Sequence, residues 1–275
     1  MKVFALLVVL VIAAVVFGAI GYFSFKLLIA PEKAARAEHS ASMAYAAAVP
    51  EATAELGLNE FESAMALVDD RSRTPEAIAA LHEFATKYPS ASVIGEAKAA
   101  LGELNASVVF TTVDAPGKTD YTVVSGDSLV RIASKTNSSA ELILRSNNLS
   151  SIDLQIGQKL KIPQMDTAIV VDRASSTLTL FNNNVFFKEF ALLAPVPGSA
   201  GVDTSVREKI ATRDAKRVIF GGSDFPGSER SIILEQNAPM IRGGSATSGS
   251  GIVLSQYDIE ELFPLVTRGT RVVIR

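Results

Sequence analysis

The first feature of the pattern is an apolar run: residues 3–25 carry no charged side chain. About 23 residues is the length at which an α-helix crosses a hydrocarbon core of about 30 Å. A cleaved leader has a shorter apolar stretch, about 7–15 residues, ended by small residues at a processing site. Ile29-Ala30-Pro31 is a poor processing site, so residues 1–29 read as an uncleaved transmembrane anchor. From residue 30 to 106 the apolar positions recur at three- and four-residue spacing, which predicts short amphipathic helices. In Asn59-Glu60-Phe61-Glu62 the asparagine is placed to cap a helix, with Glu62 reaching back and Phe61, Ala64, Met65 and Val68 on one stripe. Thr74-Pro75-Glu76 predicts a second helix, with Ile78, Leu81, Ala85 and Tyr88 on one face and Pro89 as its stop. Ser92 opens a third, carrying Ile94, Ala97, Leu101 and Leu104. Residues 107–119 are dense in turn formers around Asp114-Ala115-Pro116-Gly117 and read as a linker.

Residues 77–105, with the Tyr88-Pro89-Ser90 turn, resemble one tetratricopeptide-like helical hairpin. Repeat arrays bury a continuous core only with several units, so the segment 30–106 is expected to be a helical stalk spacing later domains from a membrane, with docking of other envelope proteins on the hairpin as the alternative. His39 and His82 are the only histidines and both fall here; neither has a second histidine or a cysteine at ligand spacing.

The next pattern is strand, helix, helix, strand. Tyr121-Thr122-Val123-Val124 alternates, Ser125-Gly126-Asp127-Ser128 turns into a helix capped by Asp127 or Ser128, and Leu129, Ile132 and Ala133 give it an inward face. Ser138 to Glu141 has capping-box spacing for a second helix with Leu142 and Leu144, which Asn147-Asn148-Leu149 ends. Leu154-Gln155-Ile156-Gly157-Gln158 then turns into an alternating strand through Leu160 and Ile162 to Pro163. This order, and Tyr121, Val123, Gly126, Asp127, Ser128, Leu129, Ile132, Ala133, Asn148, Leu149, Leu154, Ile156, Gly157, Gln158, Leu160, Ile162 and Pro163, resemble the LysM family over residues 120–163. The resemblance implies binding of N-acetylglucosamine-containing glycans, as in peptidoglycan strands, in a shallow groove between two loops. Carried over by position, Gly126, Asp127, Ser128 and Leu129 line one side, and Asn148, Leu149, Ile152 and Leu154 the other. Backbone groups at a Gly-Asp turn suit acetamido hydrogen bonding, and Leu and Ile suit its methyl group.

From Thr167 onward the pattern is mostly strand: 168–172, 177–181 and 185–190, with Asn182-Asn183-Asn184 as a hairpin turn. A short helix around 259–263 and a last strand, Gly269-Thr270-Arg271-Val272-Val273-Ile274, close the chain. Ile169-Val170-Val171-Asp172, Leu178-Thr179-Leu180-Phe181 and Gly251-Ile252-Val253-Leu254 with Asp258 to Phe263 resemble the L,D-transpeptidase, or YkuD-like, family over 167–275. Active members of that family are similar in an Ile-His-Gly segment and a Ser-x-Gly-Cys-Ile-Arg-Leu segment, whose cysteine is nucleophile and whose histidine is base. Here the segments read Ile241-Arg242-Gly243 and Ser248-Gly249-Ser250-Gly251-Ile252-Val253-Leu254. Gly251 therefore stands at the nucleophile position and Arg242 at the base position. Glycine has no side chain to acylate, and an arginine stays protonated at neutral pH. The resemblance thus implies a degenerate, noncatalytic domain. The competing expectation is a peptidoglycan-modifying enzyme with another nucleophile, for which Ser245, Ser248 and Ser250 are near; a serine needs an adjacent base, and no lysine follows Lys216.

Composition narrows the partners. The net charge of −3 gives no basic face of the size that holds a phosphate backbone, so nucleic acid is excluded. There is no cysteine, which removes disulfides, thiolate metal ligands and a thiolate nucleophile; no metal and no cofactor is expected. The expected architecture is α+β and multidomain: anchor, tetratricopeptide-like stalk, βααβ LysM module and mostly-β YkuD-like domain. Lys2 precedes the apolar run while Lys26, Lys33 and Arg36 follow it, and that bias alone would leave the bulk of the chain in the cytoplasm. A peptidoglycan binder has no ligand there. The expected location is therefore single-pass in a bacterial inner membrane, with the bulk of the chain on the periplasmic or wall side.

Overall fold

The structure, a computed structural model, describes residues 51–198, 201–245 and 250–275. The expected anchor lies outside them. Among the described residues no helix is long and apolar enough to cross a membrane. The chain divides into two compact units, residues 1–57 and 58–275, and the described strands all belong to the second.

Helix α1 (Glu51–Val68) runs through Asn59 without a break, so Asn59 is not its cap. Ala52, Ala54, Glu55, Leu56 and Leu58 before it are good helix formers and carry the helix across the expected start. A 3₁₀ turn at Arg71–Arg73 follows, with Asp70 accepting from the Ser72 amide at 2.9 Å. Helix α2 (Thr74–Lys87) has proline in its first turn, but the Thr74 hydroxyl donates back to the Arg71 carbonyl instead of capping it. Its inward face is Ala77, Leu81 and Phe84. Phe84 stacks in tilted contact with Phe61 and Tyr88, at 5.6 and 5.4 Å between ring centroids. Helix α3 (Ile94–Val109) completes this small core with Ala97 and Leu101.

Residues 118–163 form an antiparallel pair, β1 (Lys118–Thr122) with β2 (Lys159–Pro163). Between them lie α4 (Leu129–Thr136) and α5 (Ala140–Ser146). Leu129, Ile132, Ile143, Leu160 and Ile162 fill the core. Ser128 caps α4, as expected; Asn137 in the left-handed region ends it. Ser139 caps α5 by accepting from the Leu142 amide. Glu141 does not complete the expected capping box: its carboxylate turns to Arg230, 3.7 Å away in the C-terminal domain.

The C-terminal domain is one nine-stranded sheet. Its strands are β3 (Thr167–Asp172), β4 (Thr177–Asn182), β5 (Val185–Ala191), β6 (Val202–Arg213), β7 (Lys216–Val218), β8 (Glu229–Leu234), β9 (Ile241–Gly243), β10 (Ile252–Leu254) and β11 (Arg271–Ile274). Helix α6 (Gln256–Leu265) precedes the last strand. The strand order is β10-β9-β8-β6-β11-β3-β4-β5, with β7 beside β6. The pairs β10 with β9 and β11 with β3 are parallel, and the others antiparallel. Asn183 and Asn184 have φ of 51° and 61°, the two positive values that a tight β4–β5 hairpin of matching twist requires. Strand β6 changes partner midway, from β11 to β8, with an irregularity between Val206 and Glu208 that bends it. Just past β5, the Leu193 amide donates to the Val253 carbonyl of β10 at 2.8 Å. The sheet thus curls back on itself, barrel-like, and its two outer strands meet. Leu178, Leu180, Ile232, Ile252, Leu254, Ile259, Leu262 and Val272 fill the interior.

The three parts from Leu58 onward are packed together. Helix α3 lies on β5: Asn105 donates to the Phe187 carbonyl at 2.9 Å, and Phe186 joins the helical core. Lys188 of β5 bonds Glu103 of α3 at 2.8 Å and both carboxylate oxygens of Glu261 of α6 at 2.7 and 2.8 Å. Burial alone would lower the Lys188 pKa, but the bonds to the two carboxylates outweigh it and hold the amine above its ordinary value. The helices expected to form a spacer are thus seated on the barrel. The 118–163 module is also anchored: Leu142 of α5 enters the barrel core, while Phe220 of the barrel packs, partly buried, against the module's core. Ser139 Oγ donates to the Pro264 carbonyl at 2.6 Å, Arg145 to the Glu260 carbonyl at 2.8 Å, and Ser146 Oγ to the Val109 carbonyl at 2.7 Å. A module of fewer than about 50 residues buries too little surface to be stable by a wide margin alone, and these contacts supply the missing burial.

Candidate functional site

The two loops named from the sequence adjoin. Beyond the last β1–β2 pair, the Val123 amide donates to the Gln158 carbonyl at 2.9 Å, and the Gly157 amide to the Val123 carbonyl at 2.8 Å. The turn 124–128 and the end of the segment 148–157 are therefore held next to each other.

The first loop is organised by Asp127. Its carboxylate accepts from the Val124 amide at 3.0 Å, from Tyr121 Oη at 2.8 Å and from Lys135 Nζ at 2.9 Å. The Val124 amide, Lys135 and Tyr121, in that order of weight, hold its pKa down at about 2. Only 2% of the side chain is exposed, so Asp127 shapes the loop from beneath instead of presenting its carboxylate. Leu129, 1% exposed, is likewise a core residue. Gly126 has φ of +84°, a conformation glycine adopts at no cost, and its carbonyl accepts from Arg131 at 2.7 Å. Gly126 and Ser128 are exposed at the loop's surface.

The second loop begins at Asn147, whose side chain was not singled out from the sequence. Its Nδ2 donates to the carbonyls of Ile143 and Lys161, and its Oδ1 accepts from the Lys161 amide at 2.7 Å, so it clamps α5 to β2. Asn148 is left-handed (φ 50°) and exposed. Leu149 and Leu154 are partly buried against the module's core, with Ile152 exposed between them. Val124 and Ile156, one on each loop, are also exposed. Ile156 could have been found from the sequence: it interrupts a polar turn, where an apolar residue has no core to enter. Of the predicted set, the structure therefore brings Gly126, Ser128, Asn148 and Ile152 to the surface, with Leu149 and Leu154 half-buried and Asp127 and Leu129 turned inward.

The second candidate site lies at β9 and β10. Their parallel pairing puts Val253 beside Arg242, and the Ile252 amide donates to the Met240 carbonyl at 2.8 Å. Gly251 and Arg242 are thus neighbours. A Cβ at Gly251 would lie 3.3 Å from Arg242 Nε and 3.0 Å from the Met240 carbonyl, and the residue has φ of +138°. That backbone is one L side chains rarely adopt, so a nucleophile does not fit there without rotation of the chain. Arg242 Nε donates to the Ser250 carbonyl at 3.2 Å. Ser248 lies outside the described residues. His82 faces another cleft, lined by Asp172, Thr177, Phe186 and Arg275, and burial lowers its pKa; His39 lies outside the described residues. Among the described residues no group of three or more His, Cys, Asp or Glu side chains could hold a metal.

The LysM domain family model matches residues 121–163. No curated protein matches the chain. Among solved structures the chain is similar to an L,D-transpeptidase from Mycobacterium smegmatis, at 10% identity and a TM-score of 0.30, over 44% of this chain and 64% of that one. It is also similar to L,D-transpeptidase 1 of Mycobacterium tuberculosis, at 13% identity and 0.29, over 42% and 65%. A further similarity is to an Enterococcus faecium L,D-transpeptidase, at 12% and 0.28, over 72% and 82%. The chain spans less than two thirds of the length of the first two of these structures.

Proposed function

We propose, from the premise that residues 121–163 form a LysM domain, that the chain is a membrane-anchored peptidoglycan-binding protein with a noncatalytic transpeptidase-like domain, which scaffolds or regulates cell-wall assembly. The observation that carries the reading is the family match on a module whose two loops are joined through Val123, Gly157 and Gln158 and expose Gly126, Ser128, Asn148 and Ile152. Backbone groups around Gly126 and Asn148 serve the acetamido group of N-acetylglucosamine, and Ile152 and Leu154 its methyl. One such module binds weakly. An anchor formed by residues 3–25 would hold it near the wall and raise its effective concentration.

The noncatalytic reading is supported by Gly251, which offers no nucleophile, and by its neighbour Arg242, a poor proton acceptor. The domain's role is then to dock the module and to present surface to glycan or to other wall proteins.

Co-sedimentation of the purified chain with insoluble peptidoglycan tests the binding claim. The chain should pellet, and Leu154→Ser, which removes an apolar wall, should pellet less; a chain that stays in the supernatant at micromolar concentration defeats the reading. Intact-mass measurement after incubation with imipenem, which is found in complex with one L,D-transpeptidase, tests the lost chemistry. No added mass is expected, and a covalent adduct would restore the enzyme. A reporter fused at residue 275 tests the topology, with signal expected only on the outer side of the membrane.

A further inference from the structure

A cavity of about 380 Å³ opens at the seam between the LysM module and the barrel, a volume in the range of small-molecule sites. Three phenylalanines wall it: Phe220 and Phe225 from the linker between β7 and β8, and Phe263 from α6. Phe225 meets Phe220 edge-on at 5.3 Å and carries the buried Arg230 guanidinium on its ring at 3.9 Å. Ile219, also on the wall, is 78% exposed and marks the solvent side.

Two charged groups line this cavity from different parts of the chain. Glu141 comes from the first turn of α5 in the module, and Lys209 from β6 of the barrel. Among the described residues no ion pair joins them, and each acts on the other only at longer range. The Glu141 side chain is 12% exposed; its Oε1 lies 3.7 Å from Arg230, and its Oε2 is buried without a hydrogen-bond partner. Lys209 Nζ donates to the Phe263 and Val266 carbonyls at 2.5 and 2.8 Å, which uses two of the three ammonium protons. Burial raises the Glu141 pKa and pushes the Lys209 amine down to about 8, so the fold leaves both charges under-compensated. Arg217, another cation on the wall, is already held by both Glu208 carboxylate oxygens at 2.6 and 3.1 Å. The cavity thus combines a buried acceptor short of a donor, a cation with an unused proton and an aromatic wall.

We propose that this seam cavity binds a small zwitterion, an α-amino acid with an apolar side chain. Its ammonium donates to Glu141 Oε2, its carboxylate accepts from Lys209 Nζ, and its side chain lies against Phe220, Phe225 and Phe263. A neutral apolar ligand leaves both charges as they are, and a cation or an anion alone serves one and leaves the other without a partner. A zwitterion serves both and adds no net charge. The site is independent of the glycan reading, and its occupant bridges module and barrel.

Calorimetric titration of the full chain with L-phenylalanine, N-acetyl-L-phenylalanine and L-phenylalaninamide tests the site. Phenylalanine should bind saturably below about 1 mM. The acetyl compound lacks the ammonium and the amide compound lacks the carboxylate, so each should bind about tenfold or more weakly, the loss of one charge-assisted hydrogen bond. Glu141→Gln, with a far-UV circular dichroism spectrum like that of wild type, should lose about tenfold in phenylalanine affinity as well. Tyr257→Ser, which alters an exposed side chain outside the cavity, should bind as wild type. The analogue series uses wild type alone, so it decides the matter even if Glu141→Gln does not fold. Absence of saturable phenylalanine binding overturns the site, and a blocked compound that binds as tightly as phenylalanine overturns the bridging of the two charges.

Discussion

Replacing Lys188 by methionine tests whether helices, barrel and α6 are one cooperative body. Methionine keeps the stem and removes the ammonium, which in the folded chain bonds Glu261 at 2.7 and 2.8 Å and Glu103 at 2.8 Å. Only 8% of the Lys188 side chain and 7% of the Glu261 side chain are exposed. Glu103, at 65%, can turn to water; Glu261 cannot. The cost is therefore that of an orphaned buried charge, about 3–5 kcal/mol, and not the roughly 0–1 kcal/mol of a surface pair. For a body of this length each kcal/mol moves the midpoint by about 2–4 °C, so a fall of about 6–20 °C is expected. Lys188→Met with Glu261→Leu removes both charges and should recover most of the loss, because apolar replacement of a buried pair is often neutral. The assay is thermal and urea unfolding followed by far-UV circular dichroism and tyrosine fluorescence, since the chain has no tryptophan. A single variant that loses under about 1 kcal/mol, or a double variant that loses the sum of both singles, refutes the reasoning.

Other outcomes follow from single contacts. Asp127 titrates near 2 in the folded chain against an ordinary 3.8, so the stability it adds is full above pH 3.8 and disappears as pH falls through about 2. The stability gap between wild type and Asp127→Asn should accordingly shrink between pH 6 and pH 2, and a gap that ignores pH would contradict the assignment. Gly102→Ala sets two effects against each other: alanine gains about 1 kcal/mol of helix propensity, but its Cβ would lie 2.9 Å from Lys188 Cγ. Lys188 is pinned by two carboxylates and cannot yield, so overpacking of about 1–3 kcal/mol should prevail and unfolding should come at lower urea.

The LysM module was legible because its information is local. Alternating strands, the Ser128 cap, the Gly126 turn and the apolar face of α4 all point the same way within 43 residues. The β4–β5 hairpin was legible for the same reason, in three successive asparagines. What failed needed tertiary context. Glu141 has capping-box spacing, yet Arg230 lies across the interface and draws its carboxylate away; burial raises the Glu141 pKa against the pull of that arginine. Asp127 and Leu129 carry the family pattern but face inward, because the turn that exposes Gly126 hides its neighbours. Strands β6 to β9 went unread: β6 holds Arg207, Glu208 and Lys209 in succession, and Lys209 donates to the Phe263 and Val266 carbonyls at 2.5 and 2.8 Å. Burial pushes that amine down to about 8. A charged triplet in the middle of a strand has no signature until the helix that covers it is in place.

The central claim is that a glycan lies across the two LysM loops, and amide chemical-shift mapping of the isotope-labelled chain during titration with the N-acetylglucosamine tetramer addresses it residue by residue. Shifts are predicted at residues 124–128 and 148–157. A titration that leaves the first two stretches still, or perturbs only residues around Arg242 and Gly251, would contradict it.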